Sequence, residues 1–124
     1  VVATYIEKNI LGYKIHPDLG FWAVIDKQSK CVIGEAGLSP IDNTIEIEAG
    51  YILHRKYWGK GYGTEVLLGL IDYGFKKLKL NQIIAVAHPE NHASIKIMQK
   101  CGMMFETMDW YHQRYSIKYK INRQ

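Results

Sequence analysis

The sequence lacks the features that mark secreted, zinc-bound and membrane-spanning proteins. Its 124 residues include two cysteines, Cys31 and Cys101, which lie far apart and form no CxxC pair. Without paired Cys or His spacings, neither a structural zinc site nor a disulfide framework is indicated. The apolar runs last a few residues, whereas a helix that spans a bilayer needs about 20. No basic-then-apolar secretory signal opens the chain, so we expect a cytoplasmic protein with reduced thiols.

Charge is unevenly distributed along an otherwise ordinary globular composition. Hydrophobic residues make up 48% of the chain and charged residues 23%, which predicts one folded domain over residues 1–124. The net charge is +4, but residues 1–53 carry −3 and residues 54–124 carry +7. The positive half indicates an anionic partner and leaves open a nucleic-acid-binding domain, although no stacking or groove-reading motif is recognisable.

The hydrophobic pattern predicts an α/β (α+β) domain in which antiparallel hairpins are joined by helical connections. A short helix is predicted within residues 3–13, where Tyr5, Ile6, Ile10 and Tyr13 recur at helical spacing. Strands are predicted at residues 21–25, 31–38, 44–53, 82–87, 104–110 and 114–121. Helices are predicted after residue 65, ending near Lys79, and over residues 92–101. In the strand 44–53, one face is expected to carry Ile45, Ile47, Ala49, Tyr51 and Leu53, and the other Glu46, Glu48 and Gly50.

Three glycines, Gly59, Gly61 and Gly63, alternate between the strand 44–53 and the helix that follows it. Glycine allows consecutive backbone N–H groups to face one concavity, and the start of a helix adds its positive end. Residues 49–64 also contain three Lys or Arg side chains and no acid. This combination predicts a phosphate site in preference to an ordinary surface loop. The spacing matches neither the P-loop nor the dinucleotide-binding pattern.

Three motifs in this order resemble the GNAT N-acetyltransferases, especially the branch that acetylates ribosomal-protein N-termini (RimJ/RimL type). They are FWAVIDKQSKCVIGEAGL, IEAGYILHRKYWGKGYGTEVL and PENHASIKIMQKCGM, and the resemblance extends over residues 21–120. It implies a mixed, mostly antiparallel sheet flanked by helices, with a V-shaped splay between the fourth and fifth strands. Family members begin with a strand and one or two helices, but only 20 residues precede Phe21. We therefore expect the first strand to be missing, the chain to be N-terminally truncated, and a homodimer to be one way of completing the site.

The resemblance implies an N-acetyltransferase (an acyltransferase) that moves an acetyl group from acetyl-CoA to a primary amine by direct transfer in a ternary complex. The implied coenzyme-binding residues are Leu53, Trp58, Gly59, Lys60, Gly61, Tyr62, Gly63, Thr64, Asn91 and Ser94. The amide at the Leu53 end of the strand would polarise the thioester carbonyl. Asn91 is an equally good helix N-cap. The expected partners are acetyl-CoA and an amine acceptor, either a protein N-terminus or a small molecule, with no metal, no membrane and no nucleic acid.

The resemblance assigns the general base to Glu48, with Glu46 as the second candidate. The alternative is that both carboxylates simply face solvent. A carboxylate that is covered by the sheet faces would need a raised pKa to work as a base near neutrality. Many family members have a Tyr, as general acid, where this chain has Met98, which cannot donate a proton. Ser94 is the expected substitute, ahead of Tyr111, Tyr115 or water. An acyl-CoA-binding or regulatory module without turnover is therefore the alternative function.

The remaining candidate side chains are expected to be structural. Cys101 is predicted to lie on the apolar face of its helix, in the core. The five histidines show no metal-ligand spacing, and each is expected to have a surface or capping role. They are His16, His54, His88, His92 and His112.

Overall fold

The computed structural model describes the backbone of residues 2–8 and all of residues 19–124. These residues form a seven-stranded sheet in the order β1-β2-β3-β4-β5-β7-β6. Neighbouring strands are antiparallel except for β4 and β5, which are parallel. The strands are β1 (Val2–Lys8), β2 (Gly20–Asp26), β3 (Val32–Pro40), β4 (Ile47–Leu53), β5 (Gln82–Ala87), β6 (Met104–Tyr111) and β7 (Arg114–Asn122). The helices are α1 (Tyr62–Lys76) and α2 (His92–Lys100), and a 3₁₀ turn spans Arg55–Tyr57. The predicted mixed, mostly antiparallel sheet is confirmed.

The N-terminal segment differs from its prediction. Residues 2–8 form β1, which pairs antiparallel with β2, where helical spacing predicts a helix within residues 3–13. The segment Val2–Lys8 is rich in β-branched and aromatic residues, which suit a strand, and the edge of β2 offers it a hydrogen-bonding partner. The expected loss of the first strand is therefore wrong, since β1 precedes β2 at that edge of the sheet. Positions 9–13 of the predicted helix, and His16, lie outside the described residues.

The strand that carries Glu48 begins later than predicted. Thr44 and Ile45 belong to the turn before β4, because the Thr44 hydroxyl donates to the carbonyl of Ile41 at 2.8 Å and accepts from the N–H of Glu46 at 3.2 Å. Such local side-chain bonds compete with strand pairing. Ile45 is 96% exposed and lies before the strand, so its predicted place on one strand face with Ala49 and Leu53 is wrong. Helix α1 likewise ends at Lys76, three residues before the predicted end.

Both helices pack on the face of the sheet that carries Ala49 and Leu53 of β4. The core of the described residues lies between this face and α1, which contributes Val66, Leu67 and Leu70. Because side chains alternate along a strand, Glu48 and Gly50 project from the opposite face. None of the described helices has the length and apolar character needed to cross a membrane.

Candidate active site

A gap opens between the two parallel strands. Within the described residues, the backbones of β4 and β5 are aligned at Glu48 and Ile84. The outer edge of β4 pairs with β3 along its whole length, and the outer edge of β5 pairs with β7. Beyond their one aligned pair, the two strands separate toward Leu53 and Ala87. This is the V-shaped splay predicted by the resemblance, and we call it the β4–β5 gap.

The end of β4 directs backbone N–H groups into the gap. The N–H of His54 donates to the carbonyl of Ile33 at 2.8 Å, which makes the facing residues Gly34 and Leu53 a non-hydrogen-bonded pair. The N–H and C=O of Leu53 therefore point away from β3 and toward β5. By the same alternation, the N–H of Tyr51 also points toward β5. Two backbone donors thus face the gap beyond the point where the strands meet.

The loop that follows β4 is held by an indole and shaped by glycines. Trp58 Nε1–H donates to the carbonyl of Leu53 at 2.8 Å, which anchors the loop to the strand end. Gly59 and Gly61 adopt left-handed φ values of 75° and 85°, a region that favours glycine. Gly61 is the N-cap of α1 and provides no side-chain acceptor. The first N–H groups of α1 are therefore open at the positive end of the helix.

Cations and aromatic rings surround this loop. The Arg55 guanidinium lies 5.5 Å from the centre of the Trp58 ring. The ammonium groups of Lys56 and Lys60 lie 5.3 Å and 5.8 Å from the centre of the Tyr57 ring. Positive charge, left-handed glycines and an uncapped helix start together suit an anionic group such as a phosphate.

Gly63 has a different role from the other two glycines. A Cβ at this position would lie 2.8 Å from Cδ1 of Ile97 in α2 and 3.3 Å from the hydroxyl of Tyr51 in β4. Gly63 therefore allows the two helices and the strand to pack closely. Cys101 belongs to the same packed region, where its thiol lies 3.6 Å from the carbonyl of Thr64 and burial raises the pKa of the thiol. The prediction that Cys101 is a core residue is confirmed.

The start of α2 brings Asn91 and Ser94 together. Asn91 Oδ1 accepts from the N–H of Ser94 at 3.1 Å, so the predicted N-cap is confirmed. Burial raises the pKa of the Tyr51 hydroxyl, and a hydrogen bond with the Ser94 side chain partly opposes that rise. The sequence alone does not predict the contact between Tyr51 and Ser94. The available signal is that Tyr51 carries a hydroxyl among the aliphatic side chains of β4. Met98 is buried in the core.

Glu48 meets a histidine on the opposite face of β4. Its carboxylate, 14% exposed, lies 2.8 Å from Nε2 of His112 in the turn between β6 and β7. Burial raises the pKa of Glu48 above its ordinary value, the hydrogen bond and charge of His112 oppose that rise, and Asp42 adds to it. The predicted surface or capping role of His112 is therefore incomplete, because its half-exposed ring contacts the candidate base. His88 is exposed, as predicted, and its Nδ1 accepts from the N–H of Glu90 at 3.1 Å in the turn before α2.

Glu46 belongs to a separate ion cluster. The ammonium of Lys118, 3% exposed, lies 2.8 Å and 2.9 Å from the two carboxylate oxygens of Glu46 and 3.3 Å from Glu106. The same ammonium lies 5.5 Å from the centre of the Tyr111 ring, and the Tyr115 ring packs against Trp110. The sequence alternative in which Glu46 and Glu48 both face solvent is wrong, because each has its own partner. Among the described residues, no group of three or more His, Cys, Asp or Glu is placed to hold a metal ion.

The fold and site define a protein in which two diverging parallel strands lead to a glycine-rich, positively charged helix start. A family model described as "Acetyltransferase (GNAT) domain" matches residues 2–104. The chain belongs to the GNAT acetyltransferase family.

Similar proteins agree with this assignment. The chain is 42% identical over 86 residues to "Uncharacterized N-acetyltransferase p20" of Bacillus licheniformis, covering 68% of this chain and 48% of the relative. It spans about half the length of the curated relatives that it matches. A GNAT-family acetyltransferase from Bacillus anthracis has a TM-score of 0.72 at 29% identity, covering 82% of this chain and 65% of that one.

Two further solved structures share the fold at lower identity. The ribosomal-protein-S5-alanine acetyltransferase of Vibrio fischeri has a TM-score of 0.77 at 24% identity, covering 91% of this chain and 66% of that one. An F149G mutant of the SpeG spermidine N-acetyltransferase of Vibrio cholerae has a TM-score of 0.72 at 23% identity, covering 89% and 67%.

Proposed function

We propose that this chain carries acetyl-CoA-dependent N-acetyltransferase activity, with direct transfer to a primary amine bound in the same complex. The observation that carries the proposal is the continuity of the β4–β5 gap with the open N-terminus of α1. An extended thioester arm fits the gap, where Leu53 and Tyr51 present backbone donors. A pyrophosphate fits the helix start, where glycines and cations meet.

The proposed coenzyme-binding residues contact different parts of the coenzyme. The pyrophosphate would meet the loop and the first turn of α1, through Gly59, Lys60, Gly61, Tyr62, Gly63 and Thr64. Trp58 acts indirectly, since its indole fixes the loop to the carbonyl of Leu53. Asn91 uses its side-chain oxygen as a cap, which leaves its amide NH₂ group for the arm. When bound, acetyl-CoA supplies an activated acetyl group, and the N–H of Leu53 would polarise the carbonyl of that group.

Glu48 is proposed as the general base that takes a proton from the acceptor amine. Burial shifts the pKa of the Glu48 carboxyl upward, toward neutral pH, where a general base is most effective. Gly50 lies two residues further along the same face, and a Cβ there would meet no described atom within 4 Å. The space above Gly50 is therefore our proposed position for the acceptor, next to the base.

Ser94 is proposed to donate a proton to the departing thiolate. Its hydroxyl lies next to the half-buried hydroxyl of Tyr51 and lowers the pKa of that group, at the start of α2. Tyr51 holds the Ser94 hydroxyl in position in this arrangement. Met98, which occupies the usual position of the acid, is part of the core.

The acceptor is proposed to be a primary amine of the ribosomal-protein N-terminus type. The sequence motifs resemble this branch. A polyamine is the competing acceptor, because the fold is shared both with the Vibrio fischeri protein and with the spermidine acetyltransferase. The homodimer and the cytoplasmic location stay predictions from the sequence.

Two measurements on the same sample test the proposal. Acetyl-CoA at about 100 times its Kd should stabilise the fold by about 2.7 kcal/mol in thermal unfolding. Release of free thiol should then depend on both acetyl-CoA and an amine, drawn from a panel of N-terminal peptides and polyamines. Stabilisation without thiol release or acetylated amine would favour the acyl-CoA-binding module. Absence of stabilisation would refute both functions.

A further inference from the structure

The turn that carries His112 has a left-handed backbone at both of its residues. His112 and Gln113 both adopt left-handed φ values, 53° and 63°, in the two-residue connection between β6 and β7. Hairpin turns of this kind favour Asn or Gly, and His is also enriched among residues with this backbone conformation. The turn therefore accepts His112, and a further role of this residue has to be argued from the contacts of its ring.

Two carboxylates from different elements hold this histidine. Asp42, in the turn before β4, accepts the backbone N–H of His112 at 3.3 Å, and Asp42 Oδ1 lies 3.6 Å from Nδ1 of the ring. The other ring nitrogen, Nε2, lies 2.8 Å from Oε1 of Glu48. Asp42 thus holds the turn through its backbone N–H and lies beside the ring that reaches Glu48.

The other charged groups near this face are engaged elsewhere. Lys118 of β7 is bound by Glu46 and Glu106, and the ammonium of Lys120 lies 3.9 Å from Glu106. Asp42 is the further acid that acts on Glu48. His112 is therefore the side chain that the described structure brings into hydrogen-bonding distance of the Glu48 carboxylate.

We propose that His112, held by Asp42, is a positioning residue that orients the Glu48 carboxylate and stabilises its ionised form. This proposal rests on the proposed function, in which Glu48 is the general base. With hydrogen on Nε2, the ring donates to Oε1, and Oε2 is left to take the proton from the acceptor amine. The contact also counteracts the burial that disfavours the charged carboxylate.

The test uses two variants of the same turn. His112→Gly removes the imidazole and Gln113→Gly does not, while glycine is compatible with the left-handed backbone at both positions. In His112→Gly, the ¹³C titration midpoint of the Glu48 carboxyl should move to higher pH. The low-pH limb of the pH profile of kcat should also move to higher pH. At neutral pH, kcat should fall about tenfold or more, whereas KM for acetyl-CoA should be unchanged. Added imidazole should restore part of the lost rate, and Gln113→Gly should behave as wild type.

The outcomes separate this proposal from the proposed function. An unchanged Glu48 titration midpoint in His112→Gly would overturn the positioning role, whatever the turnover. A shifted midpoint with a wild-type pH profile of kcat would overturn it as well, because Glu48 would then be coupled to His112 without catalytic effect. Wild-type protein that acetylates no amine would instead refute the proposed function, and the positioning role in catalysis with it. If the role of His112 were purely structural, His112→Gly would fit the turn and would change neither the titration midpoint of Glu48 nor the pH profile of kcat.

Discussion

Replacement of Gly61 by alanine should weaken acetyl-CoA binding much more than it weakens the fold. Gly61 has a φ of 85° and no described atom lies within 4 Å of an added Cβ, so the cost arises from the backbone and not from a clash. An L-residue in this conformation is disfavoured by about 1–2 kcal/mol. The loop can relieve the strain by rotating, and rotation moves the N–H groups that face the phosphate.

The expected loss of affinity follows from the bonds at stake. A hydrogen bond to a charged group contributes about 1.5–3 kcal/mol. Loss of one such bond therefore raises the Kd for acetyl-CoA by about 10- to 150-fold, at about 1.4 kcal/mol for each factor of ten. Titration calorimetry measures this change, and thermal unfolding without ligand measures the cost to the fold.

Gly102 provides a matched control for this substitution. It follows α2 with a φ of 88°, and an added Cβ there would meet Ile121 at an ordinary distance of 3.7 Å. Gly102→Ala should cost the fold about as much as Gly61→Ala, and acetyl-CoA affinity should stay at the wild-type value. Equal affinities in the two variants would refute the assignment of the loop as a phosphate site.

Three further predictions follow from the site. Glu48→Gln should lower kcat by about 100-fold or more and leave the Kd for acetyl-CoA unchanged; wild-type turnover would exclude Glu48 as the base. In the wild-type enzyme, kcat should rise with pH, because only the ionised Glu48 carboxylate accepts a proton. The midpoint of this rise should lie above 4.5, the ordinary pKa of a Glu, because burial raises the pKa of Glu48. A midpoint at or below 4.5 would contradict this prediction. Gly50→Val should raise KM for large amines more than for small ones, with acetyl-CoA affinity retained, and equal effects on all amines would place the acceptor elsewhere.

Local signals predicted much of the fold. Strand β5 spans Gln82–Ala87, as its run of apolar residues predicts, and α2 begins after Asn91 as the N-cap pattern predicts. The glycine-rich segment was recognisable for a similar reason, because positive charge and flexible residues before a helix are visible in the sequence itself. In each case the signal and the structure lie within a few neighbouring residues.

The errors arose where distant segments determine the outcome. Helical spacing within residues 3–13 was overridden by the open edge of β2, a partner that no local pattern reveals. His112 lies 64 positions from Glu48, and a search for local His spacings could not connect them. The alternating glycines also have different roles that their spacing does not reveal. Gly61 adopts a left-handed backbone, whereas Gly63 has no room for a Cβ.

The distribution of charge along the sequence identifies only in part which cations are available to a ligand. The basic half, residues 54–124, contains Lys118, which is buried and bound by Glu46 from the acidic half. That lysine contributes to the net charge of the segment but is not presented to a ligand. The exposed cations that surround the glycine-rich loop are the part of the positive charge that bears on an anionic coenzyme.

Backbone amide NMR during a titration with acetyl-CoA tests the central claim most directly. We expect the largest shift changes on the amides of Leu53 at the end of β4 and of Tyr62 and Thr64 at the start of α1. The amide of Gly102 should change little. Saturable binding whose largest changes lie away from the β4–β5 gap and the start of α1 would contradict the account.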